Sequence, residues 1–543
     1  MRADAAVAVR ADGLALREGS VARRHGLGAG RRGSGGRRAA AWLTLVAILA
    51  LGRDVAANGA APASAIAATG AETVAERLTG AAARVLARKE LEGASVGIDV
   101  RSVPGGERVW ARAPELALAP ASNLKVVTIH LALATLGPRF HWETPLLIDA
   151  PIGADGVVAG NLWLRGSGDP TLQPCFFESE DEWAALQPFV QALALHGVKR
   201  ISGDLIVDAR AFDEEWVPRG WPADQLSTDY AAPVAALSLN RNRVRVRLTP
   251  RADGRLGGEL RPGAWGWSVS TEVARAADRD EFTVNLLPPD PRGVIKVRGM
   301  AGAGIAAANV ETNVTDPPDW FGRALRAALD RAGIAIGGQV RRPADGPDGG
   351  ERLPERAQSL YTRRSPLLPA LLLCGKESDN QIAEHLLKTC ALVRFGRGTI
   401  ANGARLVVEL ARECGVDPAA IEIADGSGLS RDNRIPPAFL SAVLCKAWSQ
   451  PWRDDFVRCW PISGVDGSLD RRMTEPAMQY RVRAKTGYIA RVSGLSGYAL
   501  VGPVEAAETC AFSILINGFK GSNAEMKKVQ DDLCRALVGA AAR

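Results

Sequence analysis

The chain has 543 residues, enough for two to four domains that each bury a core, and its 47% hydrophobic and 23% charged content is that of an ordinary globular protein. The net charge is +7, but residues 1–52 hold nine Arg, two Asp and one Glu, so six of those seven charges sit in a leader. A basic leader is not a basic surface, and a nucleic-acid partner is discounted.

The leader itself has an order. Arg31, Arg32, Arg37 and Arg38 precede an apolar run at 39–51, which is too short to span a bilayer comfortably and matches a signal-peptide core. Ala63-Ser64-Ala65 then fits an A-x-A cleavage site. Residues 1–71 therefore read as a signal peptide and Ala-rich connector, and the protein as exported, to the periplasm or cell envelope. The competing readings of the run are a buried helix or an uncleaved anchor, and peripheral membrane association is compatible with it.

Residues 72–90 carry Val74, Leu78, Ala82 and Leu86 at helical spacing. Strands are expected at 94–100 and 108–111 around a turn at 104–106. Pro120-Ala121-Ser122-Asn123-Leu124-Lys125 opens an apolar helix that Gly137-Pro138 stops. From 149 to 355 the texture becomes β-rich, with strand-like runs at 161–164, 201–207, 243–248, 282–287 and 294–297. The alternating Arg243, Arg245 and Arg247 predict a solvated strand face. A helix at 319–332 and a loop at 345–350 close this stretch. Helices return at 367–373, 382–392 and 404–413. An antiparallel meander follows at 479–484, 494–501 and 511–517, and a last helix is capped near Ser522 or Asn523. The pattern predicts an α+β fold: a discontinuous domain of 72–148 plus 356–543, with helices on an antiparallel sheet, interrupted by a β-rich insert of one or two small domains at 149–355.

Three short motifs carry the chemistry. In Ser122-x-x-Lys125, residues one helical turn apart face the same way, which puts an amine beside a hydroxyl. A serine is weakly nucleophilic until a base takes its proton, and a desolvated lysine can be neutral enough to do so. The helix start also aims backbone N–H groups at developing negative charge. Ser378-x-Asn380 offers a hydroxyl to relay a proton and an amide to hold a carbonyl. Lys485-Thr486-Gly487 ends an alternating strand and offers positive potential, a hydroxyl for a carboxylate, and room for close backbone approach. Each motif alone also has a plain reading, as a helix cap or a strand end. In this order and on these elements, they match the pattern of penicillin-recognising serine hydrolases. The five histidines show no H-E-x-x-H, the eight cysteines no C-x-x-C, and the chain no G-x-S-x-G elbow; no metal or cofactor is implied.

The chain resembles the class C low-molecular-mass penicillin-binding proteins, the D-alanyl-D-alanine carboxypeptidase/endopeptidase family, over about residues 74–540. Besides the three motifs, the resemblance is carried by Gly168-Asp169-Pro170-Thr171-Leu172, Tyr230-Ala231-Ala232-Pro233 and Leu237-Ser238-Leu239-Asn240-Arg241-Asn242. Asp425-Gly426-Ser427-Gly428-Leu429-Ser430 and Gly464-Val465-Asp466-Gly467-Ser468-Leu469 continue it. The resemblance implies peptidoglycan stem peptides as substrate and β-lactams as inhibitors. It implies Ser122 as the acylated nucleophile, Lys125 as its base, Ser378 as proton relay and Asn380 as a substrate-backbone contact. Lys485 and Thr486 would meet the terminal carboxylate, and the N–H groups of Ser122 and Tyr488 would form the oxyanion hole. Asp208 and Arg431 match family positions that contact the charged end of diaminopimelate, although a turn residue and a surface ion pair are their plain readings. Asp169 reads as a turn former. The family usually has Thr or Ser directly after K-T-G; Tyr488 there removes a short hydroxyl and makes an internal cross-link substrate more plausible. A β-lactamase or esterase on the same plan and an inactive wall-binding homologue are the alternatives.

Overall fold

The computed structural model describes residues 73–253, 255–290, 292–345, 350–503 and 506–539. The signal-peptide and cleavage-site readings lie outside them. Among the described residues, no helix is long and apolar enough to cross a membrane.

The organising element is a five-stranded antiparallel sheet. Its strands are β1 (Ser95–Val103), β2 (Arg108–Arg112), β3 (Val482–Ile489), β4 (Val492–Val501) and β5 (Glu508–Asn517), in the order β3-β4-β5-β1-β2. Both faces are covered. Helices α1 (Val74–Leu86) and α5 (Asn523–Val538) pack on one face, where Leu78, Val85, Met526 and Leu533 meet Ile98, Val100 and Phe512. Both helices begin with a capping box, Thr73 with Glu76 and Ser522 with Glu525, which satisfies two otherwise orphaned N–H groups at each start. The other face carries a helical layer. It contains α2 (Lys125–Leu136), α3 (Asn380–Phe395) and α4 (Pro437–Trp448), whose apolar residues share one core with Tyr498, Ala511 and Leu515 of the sheet.

A second core is assembled by residues between 146 and 360, including Leu164, Phe189, Val246, Trp320 and Phe321. Its main sheet orders the strands Val340–Arg341, Leu205–Asp208, Leu162–Arg165, His141–Ile148 and Gln358–Pro366. The last two pair antiparallel, so the chain enters and leaves this region side by side.

The sequence expectations need several corrections. The run at 201–207 is two strands, Arg200–Ile201 and Leu205–Asp208, and that at 282–287 keeps only Asn285–Leu286. The Arg face at 243–247 is not simply solvated. Glu311 lies opposite Arg245 in the register and takes both Arg243 and Arg245, while Glu182 takes Arg245 again. The strand His141–Ile148 was hidden by Pro145, and α4 by being apolar nearly all round, which leaves no amphipathic period to read. The K-T-G motif lies inside β3 rather than at its end.

Asp99 ties the layers together. Its fully buried carboxylate accepts from Arg101 Nε at 2.7 Å, Arg108 Nε at 2.6 Å and Ser441 Oγ, joining β1, β2 and α4. Removing one partner of such a group strands the others, so Asp99→Ala should cost about 3 kcal/mol of stability in chemical unfolding. Glu115→Ala, at the exposed end of the same network, should cost under about 0.5 kcal/mol. Equal small losses from both would show that the buried carboxylate does not hold the layers.

Candidate active site

Ser122 lies on a 3-10 turn, Ala121–Leu124, and Lys125 is the first residue of α2. The sequence pattern implied an α-helical start. The tighter turn has three residues per turn, so positions i and i+3 eclipse. That brings Lys125 Nζ to 3.1 Å from Ser122 Oγ. The backbone is strained just before the serine: Ala121 has φ +46°.

Lys125 is completely buried. Its Nζ lies 2.7 Å from Asn380 Oδ1 and 2.8 Å from the Ser427 carbonyl oxygen. The orientation of Asn380 is not arbitrary, because its Nδ2 donates to the Tyr230 carbonyl at 2.9 Å and leaves Oδ1 toward the lysine. Burial pushes the Lys125 amine below its ordinary value, against the pull of Asp425, Glu384 and Asp379. A neutral amine has two N–H donors and one lone pair. Two partners here can only accept, so in the neutral form they would take the N–H groups and leave the lone pair for the Ser122 hydroxyl.

A buried carboxylate pair fixes the loop that carries the Ser427 carbonyl. Glu384, on α3 one turn after Asn380, accepts the Gly426 and Ser427 N–H groups at 2.7 and 2.8 Å. Asp425 accepts from Gly428 N, Ser430 N, Asn433 Nδ2 and Trp221 Nε1 within 2.9 Å. Burial and the neighbouring Asp425 raise the Glu384 carboxyl to about 8. Gly428, at φ +83°, has no room for a side chain: a Cβ there would lie 1.8 Å from the Ala121 carbonyl oxygen.

Ser378 also has a left-handed backbone, φ +61°. Asp379 caps α3 by accepting Ile382 N at 3.0 Å and pairs with Arg241. Arg241 is the middle of three consecutive left-handed residues, Asn240 to Asn242, where the Asn242 amide donates to Pro233 O at 2.9 Å and Ser238 Oγ at 2.8 Å. Gln381 Nε2 donates to the same Pro233 carbonyl at 2.9 Å. Segment 230–242 thus buttresses the S-x-N turn from the β-rich region.

The third motif completes the group. Lys485 Nζ donates to Ser378 Oγ at 2.8 Å and to the Thr486 carbonyl at 2.7 Å. Burial and the neighbouring Lys125 push its amine well below the ordinary lysine value. A Cβ at Gly487 would lie 2.4 Å from Asn123 Nδ2 and 3.1 Å from Ser122 N, so β3 passes directly against the serine turn. On its outer edge, Val482 N bonds Ser463 Oγ and Ala484 N bonds Pro461 O. Alternate residues of a strand face one edge, so the Thr486 and Tyr488 N–H groups follow on that edge beyond the Pro461–Ser463 cover. Tyr488 is exposed on the rim.

The structure therefore brings together Ser122, Lys125, Ser378, Asn380, Lys485, Thr486 and Gly487. Asp208 takes no part in these bonds. Burial acts upward on its carboxyl, but Arg210, donating through its N–H, Nε and Nη2, outweighs that and holds it below the usual value. Arg431 is exposed and donates to the Ala490 carbonyl at 2.8 Å, on the turn after β3. Asp169 accepts from Thr171 N at 2.8 Å and Oγ1 at 2.7 Å, the turn former expected. Sequence reasoning gave no role to Glu384, Asp425, Arg241 or the Ser427 and Tyr230 carbonyls. Asp425, Ser427, Tyr230 and Arg241 sit in runs that carried the resemblance, but nothing in spacing marks a main-chain carbonyl as a ligand.

The chain is also similar to known proteins along most of its length. Residues 78–538 match the model of the D-Ala-D-Ala carboxypeptidase 3 (S13) family. A D-alanyl-D-alanine carboxypeptidase of an Actinomadura species is 32% identical over 454 residues, covering 80% of each chain. D-alanyl-D-alanine carboxypeptidase DacB of Haemophilus influenzae is 27% identical over 450 residues, 81% of this chain and 89% of its own. The crystal structure of penicillin binding protein 4 from Haemophilus influenzae shares the fold with a TM-score of 0.69 at 24% identity, over 85% of this chain and 99% of that one. Motif order, burial and geometry converge with a match across most of the sequence, and this chain belongs to the D-Ala-D-Ala carboxypeptidase 3 (S13) family.

Proposed function

We propose that the protein is a serine-type D-Ala-D-Ala carboxypeptidase that cleaves peptidoglycan stem peptides through an acyl-enzyme on Ser122, and that β-lactams acylate the same oxygen. The observation that carries this reading is the buried Lys125 amine, held by two acceptor oxygens and facing the Ser122 hydroxyl at 3.1 Å.

In this mechanism Lys125 takes the Ser122 proton as Oγ attacks the penultimate D-Ala carbonyl. The oxyanion is met by the Ser122 and Tyr488 N–H groups, preorganised by the helix start and the strand edge. Ser378, whose hydroxyl lies 2.8 Å from Lys485 Nζ, passes the proton on to the leaving amine. Lys485 and Thr486 attract the terminal carboxylate, and Asn380 contacts the peptide backbone. The terminal D-Ala departs, and water then releases the acyl group. Asp208 and Arg431 remain proposed contacts for the far end of the stem peptide, Arg431 by its place beside the β3 turn. We assign the catalytic unit to 72–148 plus 356–543 and the insert to 149–355. We assign the leader to export into the periplasm or cell envelope. Tyr488 in place of a short hydroxyl favours endopeptidase action on internal cross-links as a second reading.

A fluorescent penicillin followed by gel and intact mass tests the core of this reading. Durable labelling should map to Ser122, and Ser122→Ala should abolish it. Lys125→Ala should slow acylation about a thousandfold or more, as removal of a catalytic base does. Rapid turnover of the label would instead indicate a β-lactamase, and normal labelling of Lys125→Ala would exclude Lys125 as the base.

A further inference from the structure

Ser468 lies beside the site without a role in the mechanism above. Its Oγ accepts from Thr486 Oγ1 at 2.7 Å, and Ser468 is exposed while Thr486 is half-buried. We propose that Ser468 is a substrate-contacting residue: with Thr486 it forms a two-hydroxyl cradle for the C-terminal carboxylate, supplying the short hydroxyl that Tyr488 does not. The inference rests on the acyl-enzyme reading and names how that site recognises its substrate.

The chemistry of the pair fits this ligand. Each hydroxyl carries one proton and can rotate it. With no ligand the two satisfy one another. A carboxylate is an acceptor only, with two oxygens close together, so each hydroxyl can turn its proton to one of them. Hydrogen bonds to a charged acceptor are about twice as strong as neutral ones, which favours the exchange. Lys485 precedes Thr486 on β3 and places an N–H donor beside the cradle, and Tyr488 sits two residues along on the same face of the strand as Thr486.

The loop that carries Ser468 is rigidly held, which lowers the entropic cost of binding. Asp466 bridges Lys376 Nζ at 2.6 Å and Ile462 N at 2.8 Å, and Lys376 Nζ also donates to the Trp460 carbonyl at 2.6 Å. Gly467 is at φ +55°, and a Cβ there would lie 2.8 Å from the Lys376 carbonyl oxygen. Lys376 is two residues before Ser378. One ion pair therefore joins the Ser468 loop to the segment bearing the proton relay, and fixes the distance between the carboxylate cradle and the scissile bond.

The test compares two probes on the full chain: a D-Ala-D-Ala-terminated peptide with a free C-terminal carboxylate, and the same peptide as its C-terminal amide. Ser468→Ala should lower kcat/KM on the carboxylate about tenfold, mostly through KM, and change the amide less than twofold. Ser468→Thr should restore the carboxylate preference. An equal loss on both probes would make Ser468 a structural residue, and no loss on either would remove it from recognition; both outcomes overturn the cradle. Wild-type protein inactive on both peptides and unlabelled by penicillin would instead overturn the reading of the whole site, and the cradle with it.

Discussion

A lysine amine with no access to water must either lose its proton or be paid in hydrogen bonds, and the active region is built around that constraint on Lys125. The helix that carries it is apolar on every side, so desolvation is imposed by the core itself. The surrounding acceptors are neutral oxygens rather than a directly bonded carboxylate: Asn380 Oδ1 and the Ser427 carbonyl. A carboxylate in contact would hold the amine protonated. Glu384 and Asp425 instead stand one layer out, gripping the peptide N–H groups of the 425–430 loop. They orient the carbonyl without bonding the amine.

Close approach of three backbones is the second requirement. Gly428 lets its loop touch the Ala121 carbonyl, and Gly487 lets β3 lie against Ser122 and Asn123. Strained residues cluster at the same place, Ala121 and Ser378 among them, and Arg241 with its neighbours one contact away. Such conformations persist only where the surroundings over-determine them. The β-rich region contributes to this directly, because the Tyr230 carbonyl sets the Asn380 amide and Arg241 pairs with the residue between Ser378 and Asn380. This β-rich region is thus part of what orients the S-x-N motif.

The three motifs were legible because each depends on side-chain identity at fixed spacing, and the α+β class because helix and strand periods separate cleanly at either end of the chain. Other features left no such trace. A 3-10 turn at Ser122 and an α-helical start share the i, i+3 pairing, so the pattern does not tell them apart. Helix α4 is buried all round and shows no amphipathic period. The roles of the Ser427 and Tyr230 carbonyls are main-chain roles, independent of residue type. Glu384 lies on α3 at i+4 from Asn380, a helical offset that in sequence reads as an ordinary surface charge. Asp208 was found by resemblance, and its tight pairing with Arg210 depends on local geometry that the resemblance does not encode.

The central claim is that Lys125 is neutral when Ser122 attacks. The pH dependence of the second-order rate of acylation by a β-lactam tests it most directly, because that profile reports the ionisation of the free enzyme. Since burial lowers the folded-state value of Lys125, the rate should rise with pH and level off below the 10.5 of an ordinary lysine. Lys125→Ala should lose both the rate and the rise. A midpoint at the ordinary lysine value, or the same rise surviving in Lys125→Ala, would contradict the account.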